Sequence, residues 1–367
     1  MSELKVDKVS PRSGNYVALN TVGMKNIVIN GDMSIFQRST SASSLTGSGY
    51  HAPDRYRFSK SGFGTWTWSQ STDTPTGEGF ATSQKLDCTT ADATPASSSQ
   101  FKIEQKFEGQ NLQYLKKGTA GALSLTLSFW VKSTKTGTFI LELFDVDNTR
   151  QISKSYTVDV TDTWEKKTIT FPGDTSGALD NDNGNSLTLF FWLGAGTDYS
   201  SGTLNTTWNS NTDANRAVGQ VNIADSTSND WYITGVQLEA GTTASDFEFL
   251  PVDVNLARCQ RYFYKIIGNS KFVGIADYFN SSIARCGINL PVTMRTVPSL
   301  DIVSGSNYYK ISRNGADDFM NALTLAAEST ENFAGIQNTT EVSGTGGQCG
   351  FLLISNSSAS IGFSAEL

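Results

Sequence analysis

Between residues 25 and 250, hydrophobic and polar residues alternate in short runs, which is the period-two pattern of β-strands. The run 64–69 places Trp66 and Trp68 on one face, and the apolar run 187–193 is typical of a strand at the centre of a sheet. Strands at this spacing predict an all-β domain, either a two-sheet sandwich or a jelly roll. Further strands are predicted at 25–30, 101–107, 124–131, 139–143 and 231–238, with a hairpin formed by 155–160 and 164–171.

The start of the chain has too few apolar residues to fold alone. Leu4, Val6 and Val9 indicate a short extended segment, which Pro11 and Arg12 interrupt. We therefore predict that residues 1–24 form an assembly arm that becomes ordered against a partner; a frayed terminus is the alternative.

A second β-rich region is predicted after Leu250 and Pro251. The run 252–265 has weak helical spacing and should form a short helix that leads into a strand. Strand patterns then continue to the last residues, over a length sufficient for a separate core. The predicted organisation is an arm at 1–24, a jelly-roll β-sandwich at 25–250 and a smaller C-terminal β domain at 251–367.

Composition excludes several classes of function. The net charge is −7, and without a run of Lys or Arg the chain lacks the clustered cations that nucleic-acid binding needs. Because no stretch of about 18 apolar residues is present, membrane insertion is not expected. The first residues also lack an apolar signal core, so the chain is expected to stay in the cytoplasm where it is made, or to leave by lysis. The four cysteines, which show no CxxC spacing, are expected to be reduced and mostly buried: Cys88, Cys259, Cys286 and Cys349.

The sequence contains no recognisable catalytic or metal motif. His51 is the single histidine and has no Gly-x-Ser-x-Gly motif near it, so a hydrolase triad is not predicted. The run 180–184 resembles a calcium loop, but Gly184 and Phe191 occupy the wrong positions, and an Asx-rich turn fits better. We predict no catalytic residue, metal or cofactor. Acidic residues are numerous, however, so a glycan-cleaving enzyme stays open as an alternative.

Four aromatic residues are candidates for stacking on sugar rings: Tyr199, Trp208, Trp66 and Trp68. Tyr199 and Trp208 lie in the polar loop 198–215, where aromatic side chains among small polar residues suit recognition. Each of the four has an alternative role in a core or as a loop anchor. Other tryptophans lie within apolar strands and are predicted to be core: Trp130, Trp164, Trp192 and Trp231.

The motif order resembles a domain common in phage tail-fibre and virion structural proteins. The N-terminal run 4–14 is similar to the start of fibre proteins from phages of marine cyanobacteria. The layout is also similar to jelly-roll carbohydrate-binding modules. Thr234 and Gly235 replace the acidic residues of their calcium site, so the resemblance does not extend to that calcium. The segments that carry the resemblance are 26–33, Gln37–Arg38, 54–56, 125–133, 164–170, 232–241 and 258–263.

The resemblance implies a bacteriophage tail fibre, a non-enzymatic virion protein that attaches to a host cell-surface glycan as a homotrimer. The arm would then bind other virion proteins of the tail, baseplate or capsid. A capsid-borne head fibre or decoration protein and a glycan-degrading tailspike are the alternatives. The pairs Gln37–Arg38 and Asp54–Arg55 are predicted to form a buried bidentate contact that fixes the first long loop.

Overall fold

The computed structural model describes residues 24–268 and 270–367. The predicted arm residues Leu4, Val6, Val9, Pro11 and Arg12 lie outside this range. Within the described part of the chain the fold is nearly all β, with two short α-helices, α1 at Thr197–Ser200 and α2 at Val252–Gln260. The predicted all-β class is confirmed.

Two six-stranded antiparallel sheets form a jelly-roll-like sandwich. The first sheet has the order β1-β3-β4-β12-β6-β9 and the second β11-β8-β7-β10-β5-β2, so the chain repeatedly crosses between sheets. The strands are β1 Ser41–Leu45, β2 Arg57–Ser61, β3 Thr65–Ser71, β4 Ser83–Thr90, β5 Gln100–Glu108, β6 Leu125–Ser133, β7 Gly137–Asp145, β8 Arg150–Val158, β9 Glu165–Phe171, β10 Asn185–Ala195, β11 Asn209–Ser210 and β12 Asp230–Ala240.

The space between these sheets is filled by alternate side chains of their strands. Trp66, Phe129 and Phe191 come from three different strands and are completely buried there. The predicted central strand is β10, which lies between β5 and β7.

Two strand predictions are wrong. Residues 25–30 are not a strand, because Asn26 and Glu248 side chains bond the backbone there in place of a ladder. The predicted hairpin at 155–171 is also absent, since β8 belongs to the second sheet and β9 to the first. The turn between them carries the chain across the sandwich, which a local pattern does not reveal.

Helix α2 leads into strand β13, as the spacing of 252–265 predicts. Two further antiparallel sheets with their own core follow. A three-stranded sheet has the order β13-β22-β16, and a seven-stranded sheet has the order β18-β17-β21-β14-β15-β20-β19. One face of each packs on a core that includes Tyr278, Tyr309 and Phe363. The strands are β13 Phe263–Ile267, β14 Lys271–Asn280, β15 Ile283–Asn289, β16 Ser299–Val303, β17 Tyr309–Arg313, β18 Ala316–Met320, β19 Thr324–Leu325, β20 Phe333–Asn338, β21 Cys349–Ile354 and β22 Ser360–Ser364.

A buried polar junction joins the sandwich to the later sheets. Asp54 accepts hydrogen bonds from the backbone N–H and the side-chain amide of Gln37. Arg38 and Arg55 instead pair with Glu366, and their guanidinium groups stack on the rings of Phe263 and Tyr262. The predicted bidentate contact is therefore right for Gln37 with Asp54 and wrong for the arginines, which bind a residue far along the chain.

Candidate functional site

The outer face of the first sheet carries three aromatic side chains that the sandwich core does not use. Along β6 and β12 the core takes Phe129, Val131, Trp231 and Ile233, so the residues between them point to the other side of the sheet. We define the aromatic face as Trp130, Trp164 and Tyr232, together with Lys85 and Lys132.

Tyr232 lies at the centre of the aromatic face between two lysines. It pairs across the ladder with Lys85 on β4 and with Lys132 on β6. The ammonium groups of Lys85 and Lys132 lie 5.6 Å and 4.6 Å from the centroid of its ring. Trp164 approaches the same ring edge-on, with centroids 6.2 Å apart at 69°. Tyr232 and Lys132 are themselves buried. The accessible part of the aromatic face therefore consists of Trp130, Trp164 and Lys85, and Tyr232 supports it from below.

Asp73 fixes one end of this surface. Its carboxylate accepts hydrogen bonds from the indole N–H of Trp164 at 2.9 Å and from Lys132 at 2.5 Å. Burial alone would raise the pKa of Asp73, but these two donors outweigh it and lower the pKa, which keeps the carboxylate charged. Trp164 is consequently held in one orientation while its ring stays partly exposed.

A pair of carboxyl groups marks the other end. Asp87 and Asp230 are direct cross-strand neighbours, and Lys85 lies 3.7 Å from the first and 3.1 Å from the second. Burial, followed by a hydrogen bond with Asp87, raises the pKa of Asp230. Directly opposed like charges repel across a ladder, so this end offers acceptors that a ligand hydroxyl can satisfy.

The arrangement suits a sugar better than a charged or purely apolar ligand. A pyranose has one apolar C–H face, which an exposed indole or phenol ring can cover, and a rim of hydroxyl groups that need donors and acceptors. Trp130 and Trp164 provide rings that are partly exposed, and the lysines and aspartates beside them provide both kinds of hydrogen-bonding group. Trp130, Lys85 and Asp230 lie on strands, which hold side chains more rigidly than a loop would.

The sugar-stacking prediction for Trp66 and Trp68 is wrong for the folded chain. Both rings are completely buried in the sandwich core, where Trp66 packs 4.9 Å from Phe101 and Trp68 packs 5.8 Å from Phe58. Their indole N–H groups are already bonded to the carbonyl of Phe63 and the side chain of Gln84. A ligand in solvent therefore cannot reach either ring.

Tyr199 and Trp208 are partly exposed, and the structure places both against the sandwich rather than free in solvent. Tyr199 lies 5.6 Å from the ring of Trp192, in a small apolar cluster on the outer face of the second sheet. Trp208 packs against the main core and donates its indole N–H to the carbonyl of Pro172 at 2.8 Å. Loop anchoring thus accounts for the geometry of Trp208, and the competing role in glycan binding stays a prediction.

The residues of the aromatic face were missed, although the sequence carried a signal for them. Trp130 and Trp164 are predicted as core because apolar residues surround them, yet both are partly exposed. The alternation of Leu127, Phe129 and Val131 already puts Trp130 on the opposite side of its strand. Trp231 was correctly predicted as core, and Trp192 is buried on the outer side of the second sheet.

His51 has the environment of a structural side chain. Its ring lies 6.1 Å from that of Phe58, and burial lowers the pKa of the imidazole, so it is neutral near pH 7. Within residues 24–268 and 270–367, no cluster of three or more His, Cys, Asp or Glu side chains is placed to hold a metal ion. Over the same ranges, no helix is both long and apolar enough to cross a bilayer.

Comparison with known proteins gives similarities of architecture. No protein-family model matches the chain, and no curated protein matches it. The enzymatically active domain of tailspike protein 4 of bacteriophage CBA120 is 14% identical over 59% of this chain, with a TM-score of 0.32, and the match spans 21% of that tailspike chain. TmCBM61 in complex with β-1,4-galactotriose is 9% identical over 59% of this chain and 99% of its own, with a TM-score of 0.31. A putative sugar-binding protein from Bacteroides thetaiotaomicron is 10% identical over 59% of this chain and 100% of its own, also with a TM-score of 0.31.

Proposed function

We propose that this protein binds glycans through the aromatic face and serves in a bacteriophage virion as a tail fibre that attaches to the host surface. One observation carries the glycan-binding proposal: Trp130, Trp164 and Tyr232 lie together on an outer sheet face, beside lysines and aspartates. Aromatic side chains with a polar rim are the usual composition of a sugar site.

The two sheet faces of the sandwich differ in a way that favours this location. On the second sheet, Phe190 and Trp192 are buried in an apolar cluster that Tyr199 and Leu204 of the following loop pack against. On the first sheet, Trp130 and Trp164 keep part of their rings exposed. Since stacking needs an accessible ring, the first sheet is the better surface for a sugar.

The virion role rests on the sequence motifs that resemble phage fibre proteins, from the run 26–33 to the run 258–263. Attachment to tail or baseplate would use residues 1–24, and several copies of one weak site would add avidity for a repetitive glycan. A capsid-borne head fibre with the same glycan site is the second candidate. Localisation of the chain on intact particles by cryo-electron tomography separates the two.

Two substitutions test the glycan site. Trp130→Ala and Trp164→Ala should each weaken binding to host polysaccharide about three- to tenfold, because one ring contact is worth about 0.5–1.5 kcal/mol. The melting temperature should change little for Trp130→Ala, whose ring is partly exposed and lies 6.0 Å from the Lys166 ammonium group. Isothermal titration calorimetry with polysaccharide fragments measures the affinity.

Tyr199→Ala is the matched control, since it removes a partly exposed aromatic ring of helix α1 that packs on the opposite sheet. It should leave the affinity unchanged. If Tyr199→Ala abolishes binding and Trp130→Ala does not, the site belongs to the second sheet and the proposal is wrong.

We also propose that glycan binding here is not followed by cleavage. Of the aspartates beside the aromatic face, Asp73 is held in its charged form by Trp164 and Lys132, so it does not supply the protonated carboxyl that glycoside cleavage needs, and Asp230 has Lys85 beside it. Incubation with host polysaccharide should release no reducing ends. Steady release that Asp230→Asn eliminates would make the protein a glycan-degrading tailspike.

A further inference from the structure

The outer face of the seven-stranded sheet displays a row of large apolar side chains. The ladder register places Phe319, Lys310, Leu353 and Phe272 side by side across four strands, with Ile275 and Phe351 paired in the neighbouring row. The rings of Phe272 and Phe351 are 4.9 Å apart. We define the phenylalanine face as Phe272, Ile275, Phe279, Phe319, Phe333 and Phe351.

This face is large for a surface that remains in water. The six side chains are between 44% and 68% exposed. With about 200 Å² for each whole side chain, they present roughly 600 Å² of apolar surface. Patches of that size are at the upper limit for monomers, and a stable interface buries about 800 Å² on each partner. The phenylalanine face can therefore form most of one side of an interface.

The charged groups within the face argue for a partner that presents the same face. Asp277 and Arg285 are directly opposite each other on β14 and β15, yet the guanidinium group turns to the ring of Phe279, 4.6 Å away. The Nε atom of Arg285 is buried and has no hydrogen-bond partner among the described residues. Asp277 is exposed. The face thus carries a guanidinium group without a carboxylate partner in the described part of the chain and an exposed carboxylate, which a second copy would pair with its own.

We propose that the phenylalanine face is a self-association surface, at which two copies of this chain pack with Arg285 of one copy against Asp277 of the other. Sheets that pack face to face interdigitate their side chains at a separation of about 10 Å, which suits the exposed rings. The proposal is independent of glycan binding, because the aromatic face belongs to a different sheet on the sandwich.

The first test of this proposal is the mass of the full-length protein in solution. Sedimentation velocity between about 1 and 100 μM should show a dimer or a larger closed assembly. Ile275→Asp should shift it to a single chain, or raise its dissociation constant roughly 30-fold or more, as expected for a central contact residue. Ile267→Asp is the matched control, since Ile267 is 64% exposed but lies on the three-stranded sheet.

Cys349 reports on the same face without any substitution. It is exposed and lies beside Asp277 across the ladder. Its alkylation by a maleimide should slow as protein concentration rises, and it should become fast and independent of concentration in Ile275→Asp. Equal melting temperatures for the variants would confirm that the substitutions leave the fold intact.

A mixing experiment identifies the occupant as a second copy. Asp277→Arg and Arg285→Asp should each weaken association when alone, since each puts like charges in contact. Mixed in equal amounts, the two variants should associate again, because each then meets its opposite. A wild-type chain that is monomeric at 100 μM, or one whose association is insensitive to Ile275→Asp, would overturn the proposal and leave the face for a different protein or surface.

Discussion

Arg55 is completely buried and forms an ion pair with Glu366, a residue 311 positions further along the chain. Arg38 approaches the same carboxylate at 3.3 Å between its Nη1 atom and Oε1 of Glu366. Burial alone would lower the pKa of Arg55, but Glu366, with smaller contributions from Tyr262 and Tyr50, outweighs it, and the pKa is raised. One carboxylate is therefore the shared counter-charge of two arginines where the sandwich meets the later sheets.

Glu366→Gln should strongly destabilise the protein. The substitution leaves Arg38 and Arg55 buried without a counter-charge, which typically costs about 3–5 kcal/mol. Chemical denaturation monitored by tryptophan fluorescence measures the free energy of unfolding. Glu328→Gln is the control, because Glu328 is exposed and its substitution should change stability by less than about 0.5 kcal/mol. Equal stability of the two variants would show that the ion pair contributes nothing.

The contribution of Asp54 to the free energy of unfolding should decrease as pH rises. Burial raises the pKa of its carboxyl from 3.8 to about 6, against the opposing hydrogen bonds of Gln37. The folded state therefore holds a proton that the unfolded chain releases, so the stabilisation is complete below about pH 3.8 and lost as pH rises through about 6. The stability difference between wild type and Asp54→Asn should change by about 2–3 kcal/mol between pH 4 and pH 7.

The contribution of Glu108 to stability should depend on pH in the opposite direction. Burial would raise its pKa, but hydrogen bonds from Arg261 and Tyr262 outweigh that effect and lower it. Its contribution is present above the pKa of the unfolded carboxyl and lost as pH falls, so the difference curve for Glu108→Gln should slope the other way. Parallel stability curves for wild type and Asp54→Asn would contradict the role given to Asp54.

Trp208 should act as an anchor for its loop. Trp208→Ala removes the bond to the carbonyl of Pro172 and the contact with the core, and should lower the free energy of unfolding by about 2 kcal/mol. Glycan affinity, measured well below the melting temperature, should be unchanged. If Trp208→Ala leaves the melting temperature unchanged and abolishes cell binding, Trp208 belongs to the receptor-binding site.

Three of the four cysteines should be unreactive in the folded protein. Cys88, Cys259 and Cys286 are buried, and burial raises the pKa of all three thiols, to about 11 for Cys88 and Cys286. Thiol titration with a chromogenic disulfide should therefore detect one group, Cys349, until denaturant is added. Reductant should not change the melting temperature, whereas the loss of a disulfide would cost about 2–5 kcal/mol.

The period-two pattern predicted most strands of the sandwich, because burial between two sheets imposes it on each strand. It also placed Trp66 and Trp68 together on one face. It did not say whether that face meets the core or solvent, since alternation defines two sides of a strand and not what covers them. The sugar-binding role assigned to Trp66 and Trp68 failed for this reason, and Trp130 was missed for the same reason.

The local sequence pattern did not predict contacts between distant parts of the chain. The pairs Gln37–Arg38 and Asp54–Arg55 were identified as structural, yet nothing local pointed to Glu366 as the partner of the arginines. The hairpin predicted at 155–171 failed similarly, because the choice between two sheets depends on the whole sandwich. The phenylalanine face could not be predicted either, because it depends on the register between strands of the seven-stranded sheet.

The distance along the chain between Arg55 and Glu366 has a consequence for synthesis. At about 5–20 residues per second, a ribosome needs roughly 15–60 s to make the residues that separate them. During that interval the sandwich strands can already pair, while the two arginines beside them have no counter-charge. The nascent protein should therefore remain open at the junction and vulnerable to proteases there, and closure should come as a late step once Glu366 has left the exit tunnel.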